Sequence, residues 1–353
     1  MKKTVILIFW LFTFCSAAEV PIEQMIGQMI AVGFDGNKTN QEWPKLLKSQ
    51  IGKGEVGAIV IYGRNIQSPM QLERLISHFH YAIAPSAPPL WVMVDQEGGR
   101  VARLNAAKGF SNYPSAKALA RGNTQNAAKE YRALACELRG YAINFNLAPV
   151  VDLDIDGGLI GGEERSFSDD PEIIAKYAQT LIKAHNSCNV LTALKHFPGH
   201  SGVRGDPHID TADRSAQYDE TELIAFRQII EANLAHAVMI AHIIDTNVDR
   251  LPATLSKKHI DRLRGMKFNG VAITDDLQMG AIAKHYDLNQ TVILAINAGN
   301  DILLFSNVFD PDPALPVKVK EIVLEAIKAG IIPIGRIKEA YNRIIALKKK
   351  RLM

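Results

Sequence analysis

The stretch Leu191-Thr-Ala-Leu-Lys195-His196-Phe-Pro198-Gly199-His200-Ser-Gly-Val-Arg-Gly-Asp206-Pro207-His208 decides how this chain is read. It opens as an apolar, β-prone run and breaks at Pro198-Gly199 into a loop crowded with titratable groups. A strand buried on both faces reads as a near-continuous apolar run. Lys195 and His196 stand where such a strand would end. Further on, Asp206 and His208 flank Pro207, which pushes the residue before it into extended geometry. In extended chain, positions i and i+2 share a face, so the carboxylate and the imidazole are placed to act together. Polar loop residues capping the next helix are the structural alternative.

Seven more runs of the same kind surround this one: Met29–Phe34, Gly57–Tyr62, Leu90–Val94, Phe145–Asp152, Val238–His242, Gly270–Asp275 and Asp301–Phe305. Helical patterns separate them, with Pro69–Ala84, Asn123–Tyr141, Glu220–Leu234, Ser256–Arg264 and Asn289–Ala298 the clearest. Asp170-Pro171-Glu172 is a helix start: an acid at the cap, proline in the first turn and negative charge at the positive end of the dipole. Ala314–Leu347 reads as two amphipathic helices. Eight short apolar strands alternating with helices, and no inserted domain, predict an α/β fold of the (β/α)8 TIM-barrel type in a single domain, residues 19–353. A doubly wound sheet would call for a glycine-rich phosphate turn after an early strand, and Gly33-Phe-Asp-Gly36 does not fit one.

The 353 residues are 47% hydrophobic and 22% charged, enough for one large core, and the formal charge of +3 points to neither nucleic acid nor a membrane surface. At the N-terminus, Lys2 and Lys3 precede the apolar run Val5–Phe14 and the small residues Ser16-Ala17-Ala18, the order of a cleavable signal peptide over residues 1–18. The expected location is therefore periplasmic or secreted, with a retained N-terminal membrane anchor as the alternative. Of three cysteines, Cys15 falls in that segment. Cys136 and Cys188 are read as buried free thiols rather than a pair. The basic tail Lys348-Lys-Lys-Arg351 is expected to solvate a helix C-terminus and to need no partner.

In a parallel barrel, catalytic groups sit at the C-terminal ends of the strands. Those ends hold Asp95, Asp152, Lys195-His196, His242 and Asp275-Asp276, a ring hard to explain as core packing because buried charges are rarely unpaired. Asp35-Gly-Asn37-Lys-Thr39 and Asp287-Leu-Asn289-Gln-Thr291 also fit an acid-extended N-glycosylation sequon.

Four segments resemble glycoside hydrolase family 3, in its single-domain β-N-acetylglucosaminidase branch: Asp95-Gln-Glu97-Gly-Gly-Arg100-Val, Gly162-Glu-Glu164-Arg165-Ser-Phe167, Lys195-His196-Phe-Pro-Gly-His200, and Thr274-Asp275-Asp276-Leu-Gln-Met279. Ser201 and Thr274 stand where the family usually has Gly and Ser. The resemblance spans roughly Ile22 to the C-terminus. It implies that Asp95, Arg165, Lys195 and His196 bind the sugar, that Asp275 is the nucleophile, and that His208 with Asp206 supplies acid/base catalysis. Glu97 and Arg100 are read as a local ion pair behind the site, Asp276 as a helix cap or supporting group, and His200 as a loop-structuring residue.

The expected activity is hydrolysis of terminal β-linked GlcNAc with retention of configuration, on oligosaccharides or muropeptides from peptidoglycan, with water as acceptor. Phosphorolysis and a non-catalytic glycan-binding barrel are the alternatives. A metal set of His196, His200 and His208 is weighed and set aside, because Phe-Pro-Gly breaks the helix that the His196/His200 spacing would need. The sequence leads us to expect no cofactor, no metal, no nucleic-acid or stable membrane partner, and a monomer.

Overall fold

The computed structural model of the chain describes residues 20–155, 159–200, 203, 209–210, 212–216 and 220–350. The expected signal segment, Asp206 and His208 lie outside the described residues.

Eight parallel strands are present: β1 (Ile30–Val32), β2 (Ala58–Ile61), β3 (Trp91–Val94), β4 (Phe145–Asn146), β5 (Leu191–Phe197), β6 (Ala237–Ile240), β7 (Val271–Thr274) and β8 (Leu303–Phe305). They pair in the order β7-β6-β5-β4-β3-β2-β1-β8. A parallel bridge between Ile273 and Ile302 joins the two ends of that order and closes the barrel. The fold is a single-domain (β/α)8 barrel, as the strand pattern predicts.

Each strand appears where an apolar run was read, most of them trimmed at their ends; β6 begins one residue earlier, at Ala237, and β5 runs on to Phe197. The fourth run is trimmed most. Pro149 has no N–H to donate, so the regular ladder stops at Asn146. Backbone contact with β5 continues beyond it: Ala193 N donates to Ala148 O at 3.0 Å and Val151 N to Lys195 O at 2.8 Å. Strand residues such as Ile59, Val92, Val238 and Ile273 are fully buried, so burial of apolar surface, at roughly 25 cal/mol per Å2, supplies the main driving force.

The helices around the barrel include α1 (Ile22–Gln28), α2 (Glu42–Gly52), α3 (Pro69–His80), α4 (Thr124–Gly140), α5 (Pro171–Ser187), α6 (Glu222–Glu231), α7 (Lys257–Gly265), α8 (Leu288–Ala298), α9 (Leu315–Lys328) and α10 (Ile334–Lys350). The expected α5 cap forms: Asp170 Oδ1 accepts from Glu172 N at 2.9 Å. Asp287 caps α8 within a capping box, and Thr291 is buried, so the second sequon-like pattern has a structural explanation.

α10 crosses the barrel floor, the end from which the strands start. Arg336 Nη2 donates to Asn300 O and Asp301 Oδ1 at 2.8 and 2.6 Å. At the other end of the helix, Lys348 Nζ donates to Gln28 Oε1 and Gly57 O at 2.6 and 2.9 Å and lies 4.9 Å from the centre of the Trp91 ring. The expectation of a solvated Lys348 is therefore corrected: its side chain plugs the floor, and burial pushes its ammonium down to about 7.

The two remaining cysteines are also corrected. Cys136, in α4, and Cys188, just past α5, form a disulfide with Cα atoms 5.2 Å apart. Packing of α4 against α5 brings together positions 52 residues apart, a proximity that composition and spacing do not disclose.

Candidate active site

The C-terminal ends of the strands surround a cavity of about 230 Å3. Asp95, Glu97, Arg103, Arg165, Lys195, His196, His200, Asp275 and Asp276 contribute to its wall, with Tyr62, Met239 and Met279 as apolar surface.

Lys195 and His196 are neighbours in sequence, yet both line this cavity. The pairing of β5 with β6 shifts register between Leu194 and Phe197, which breaks strict alternation at that point. The Lys195–His196 peptide bond is cis. Lys195 Nζ donates to Asp95 Oδ1 at 2.9 Å and contacts Glu97 Oε1 at 2.7 Å. Arg165 closes on Glu97 in a two-pronged contact, Nε to Oε2 at 2.9 Å and Nη2 to Oε1 at 2.8 Å. Arg103 Nη2 reaches Asp95 Oδ2 at 3.3 Å.

Burial by itself would raise both carboxyls, but the cations outweigh it. Lys195 and Arg165 hold Glu97 at about 2, and Lys195 with Arg103 holds Asp95 well below the usual carboxylate range. Burial disfavours the Lys195 ammonium, and the two carboxylates more than restore it. The network is charged throughout and pre-formed, a lattice of donors and acceptors matched to hydroxyl and carbonyl groups.

Glu97 corrects a sequence expectation. It does not pair with Arg100 behind the site; it lines the cavity between Arg165 and Lys195. Arg100 instead lies 3.4 Å from Glu163 with its side chain largely exposed. The glycines beside it explain the turn. Gly98 and Gly99 have φ of +95° and +59°, and a Cβ on Gly98 would sit 2.3 Å from Pro114 O. Gln96 ties the segment down through Leu104, donating to its O at 2.8 Å and accepting from its N at 3.0 Å. Arg103 was missed altogether; its spacing along this hairpin from Asp95 was the available signal.

Arg165 owes its position to its neighbours. Ser166 Oγ donates to Asp152 O at 2.6 Å, and Phe167 stacks on Tyr177 with ring centres 5.9 Å apart. Asp152 is fully buried and supports the site from behind. Its Oδ2 meets His196 Nδ1 at 2.7 Å, and its Oδ1 accepts from His200 N at 2.9 Å. Burial would raise Asp152, but His196 and these hydrogen bonds hold it at about 2. His200 is held to Asp152 through its backbone, and its ring also lines the cavity. Burial, then His196 beside it, pushes that ring down to about 4, so it is neutral near pH 7.

Across the cavity, β7 delivers Asp275 and Asp276. Thr274 Oγ1 accepts from Leu304 N at 2.9 Å, which locks β7 to β8 just before the pair. His242 holds the backbone through Asp276 O at 2.7 Å. The two acids then diverge. Burial opposes ionisation of Asp275, but His242 and His196 outweigh it and its pKa falls. Asp276 faces Ser306 N at 2.9 Å and Gln278 N at 3.2 Å. Burial, reinforced by the charge of Asp275, raises it to about 6 despite those donors. Asp276 thus tethers β7 to β8, while Asp275 is the more readily ionised acid in the cavity.

Gly199 and Arg214 flank, in sequence, the stretch that carries Asp206 and His208. Arg214 is fully buried and joins the two flanks: Nη1 donates to Gly199 O at 2.5 Å and to Glu222 Oε2 at 3.1 Å. Asp206 and His208, expected between these points, are outside the described residues. Among the described residues no group of three or more His, Cys, Asp or Glu side chains is arranged to hold a metal ion.

A model of the glycosyl hydrolase family 3 N terminal domain matches residues 21–347. The chain belongs to glycoside hydrolase family 3. A β-hexosaminidase of Nitrosomonas eutropha is 34% identical over 277 residues, covering 75% of this chain and 77% of that protein. A β-hexosaminidase of Tolumonas auensis is 36% identical over 260 residues, 71% and 76% of the two chains. Among solved structures, the family 3 β-N-acetylglucosaminidase of Paenibacillus sp. FPU-7 superposes with a TM-score of 0.85 at 31% identity. That match covers 94% of this chain, and this chain spans only 63% of that one. The β-N-acetylhexosaminidase of Beutenbergia cavernae gives 0.84 at 27% identity, covering 94% of this chain and all of that one. In this family 3 barrel the sequence-selected residues Asp95, Arg165, Lys195, His196 and Asp275 all line one cavity.

Proposed function

We propose that this family 3 enzyme is a retaining, exo-acting β-N-acetylglucosaminidase. The coarser statement, a glycoside hydrolase with β-N-acetylhexosaminidase activity, rests on its relatives. The finer reading is carried by one observation: a paired network of Lys195, Asp95, Glu97 and Arg165 shares a small cavity with an ionised Asp275. At about 230 Å3, the cavity is below the ~300–1,000 Å3 of sites for drug-sized ligands. It suits a single terminal sugar ring better than the interior of a chain.

In this reading Asp95, Arg103, Arg165, Lys195 and His196 hold the ring's hydroxyl and carbonyl oxygens. Asp275 attacks the anomeric carbon. The C1–O bond to the leaving sugar breaks, and a covalent glycosyl-enzyme forms. His208 donates the proton to the leaving oxygen, then takes one from the water that releases the sugar. Its ordinary pKa of about 6.5 suits both directions. Asp206 orients the imidazole and stabilises its charged form. Peptidoglycan fragments are the proposed substrates and the periplasm or exterior the proposed location, because the N-terminus reads as an export signal.

The test is release of p-nitrophenol from its β-N-acetylglucosaminide by wild type, Asp275→Ala and His208→Ala, each with and without phosphate and EDTA. Turnover by wild type alone, indifferent to both additives, is expected. A sugar phosphate product would make the enzyme a phosphorylase, and loss of turnover in EDTA would demand a metal. Equal turnover in either variant would overturn the residue assignment.

A further inference from the structure

The two ends of the barrel differ in how many acids they carry. Its eight helix-to-strand connections form the floor, opposite the sugar cavity: Met29 and residues 53–57, 81–90, 141–144, 188–190, 232–236, 266–270 and 299–302. Only two carboxylates occur in them, Glu55 and Asp301, and both are neutralised. Glu55 Oε1 accepts from Lys320 at 2.8 Å. Asp301 is fully buried under Arg264, Arg336 and Arg343. The opposite rim carries Asp95, Glu97, Asp152, Asp275 and Asp276, together with the cations Arg103, Arg165 and Lys195 that pair with the first two.

Beside α10 the exposed floor is mainly basic; Glu339, the acid on that helix, pairs with Arg336 and Arg343. Two cavities open beside α10. Lys53, Lys348 and Lys349 help line one; Lys267, Arg343 and Lys350 help line the other. No carboxylate lines either cavity among the described residues. Lys53, Lys267, Lys349 and Lys350 are exposed. Tyr81, on the connection into β3, is 84% exposed; an aromatic ring with a polar tip is suited to a lipid headgroup layer. Val20, the first described residue, lines the first cavity. None of the described helices is long and apolar enough to cross a membrane.

We propose that the barrel floor docks on an anionic phospholipid surface through Lys53, Lys267, Lys349 and Lys350, with Tyr81 in the headgroup layer. The sugar cavity then points away from the bilayer. The chain's overall charge, only +3, does not disclose this surface, because it sums over every face. This proposal departs from the sequence expectation of no stable membrane partner, because net charge says nothing about which face holds each sign. The docking goes beyond the glycosidase reading and does not depend on it.

The test is co-sedimentation of the full chain with phosphatidylcholine vesicles, with and without phosphatidylglycerol. Binding to the anionic vesicles alone is expected, lost near 1 M salt where the Debye length falls to about 3 Å. Each lysine near such a surface contributes about five-fold in affinity. The combined Lys53→Gln, Lys267→Gln, Lys349→Gln, Lys350→Gln variant should therefore bind at least ~100-fold more weakly, with unchanged melting temperature and glycosidase turnover. Lys38→Gln, on the opposite rim, should bind as wild type. Equal binding to neutral vesicles, equal loss in Lys38→Gln, retention of binding by the fourfold variant, or binding to a soluble polyanion but not to vesicles would each overturn the proposal.

Discussion

Glu97 and Arg165 face each other through two parallel hydrogen bonds, 2.8 and 2.9 Å long, across 68 residues of sequence. Lys195 shares the same carboxylate at 2.7 Å. Removing one member of a buried ionic group leaves its partners uncompensated, which typically costs 3–5 kcal/mol. Glu97→Gln keeps an acceptor, so about 3 kcal/mol is expected in urea unfolding. KM should rise, because Arg165 loses its fixed orientation. Wild-type stability and KM in this variant would show that the pair positions nothing.

Asp275→Asn should fold normally and lose turnover by at least about 10³-fold, as expected when a nucleophile is deleted. A slow fluorinated substrate should leave a covalent sugar on wild type. Mass spectrometry of the digested protein should place it on the peptide containing Asp275. An adduct on Asp276 instead would reverse the roles drawn from their different environments.

The site carboxylates also set how stability depends on pH. Asp95, Glu97 and Asp152 have folded-state pKa values below their unfolded ones. Their contribution is present above about pH 4 and, for Glu97 and Asp152, is lost as pH falls through about 2; that of Asp95 persists to lower pH. Asp276 runs the other way. Raised to about 6, it contributes below about pH 4, and that contribution disappears as pH rises through 6. Urea unfolding from pH 2 to 8 should show both trends. Glu97→Gln should flatten the acidic one and Asp276→Asn the one near pH 6.

Gly199 has a φ of +124°, and a Cβ there would sit 1.5 Å from Glu222 Oε2 and 2.9 Å from Arg214 Nη1. Gly199→Ala should destabilise the fold by more than about 1 kcal/mol. It should lower kcat more than it raises KM, because it disturbs the start of the stretch carrying Asp206 and His208 and not the sugar-binding cluster. Stability and kinetic constants of the purified variant check both halves.

The Cys136–Cys188 bridge closes a loop 52 residues apart in sequence. Loop-closure entropy puts its contribution at about 4 kcal/mol. The double Cys→Ser variant should lose roughly that amount in urea unfolding. Turnover should be retained at temperatures where the variant stays folded, since the bridge ties α4 to α5 and touches no group in the cavity.

The eight strands were legible because a strand buried on both faces must be apolar along its length, whatever its neighbours are. The strand-end residues Asp95, Asp152, Lys195, His196 and Asp275 were legible because a parallel barrel delivers every such end to one face. Local chemistry also identified the Asp170 cap. Only the tertiary structure decided who pairs with whom. Glu97 meets Arg165 and not Arg100, Cys136 meets Cys188, and Lys348 turns inward onto Gln28 and Gly57. These choices depend on barrel closure, strand register and the path of α10, which bring together groups tens to hundreds of residues apart. Residue type records that a charge needs a partner in a low-dielectric site; only the packed geometry says which partner lies within about 3 Å.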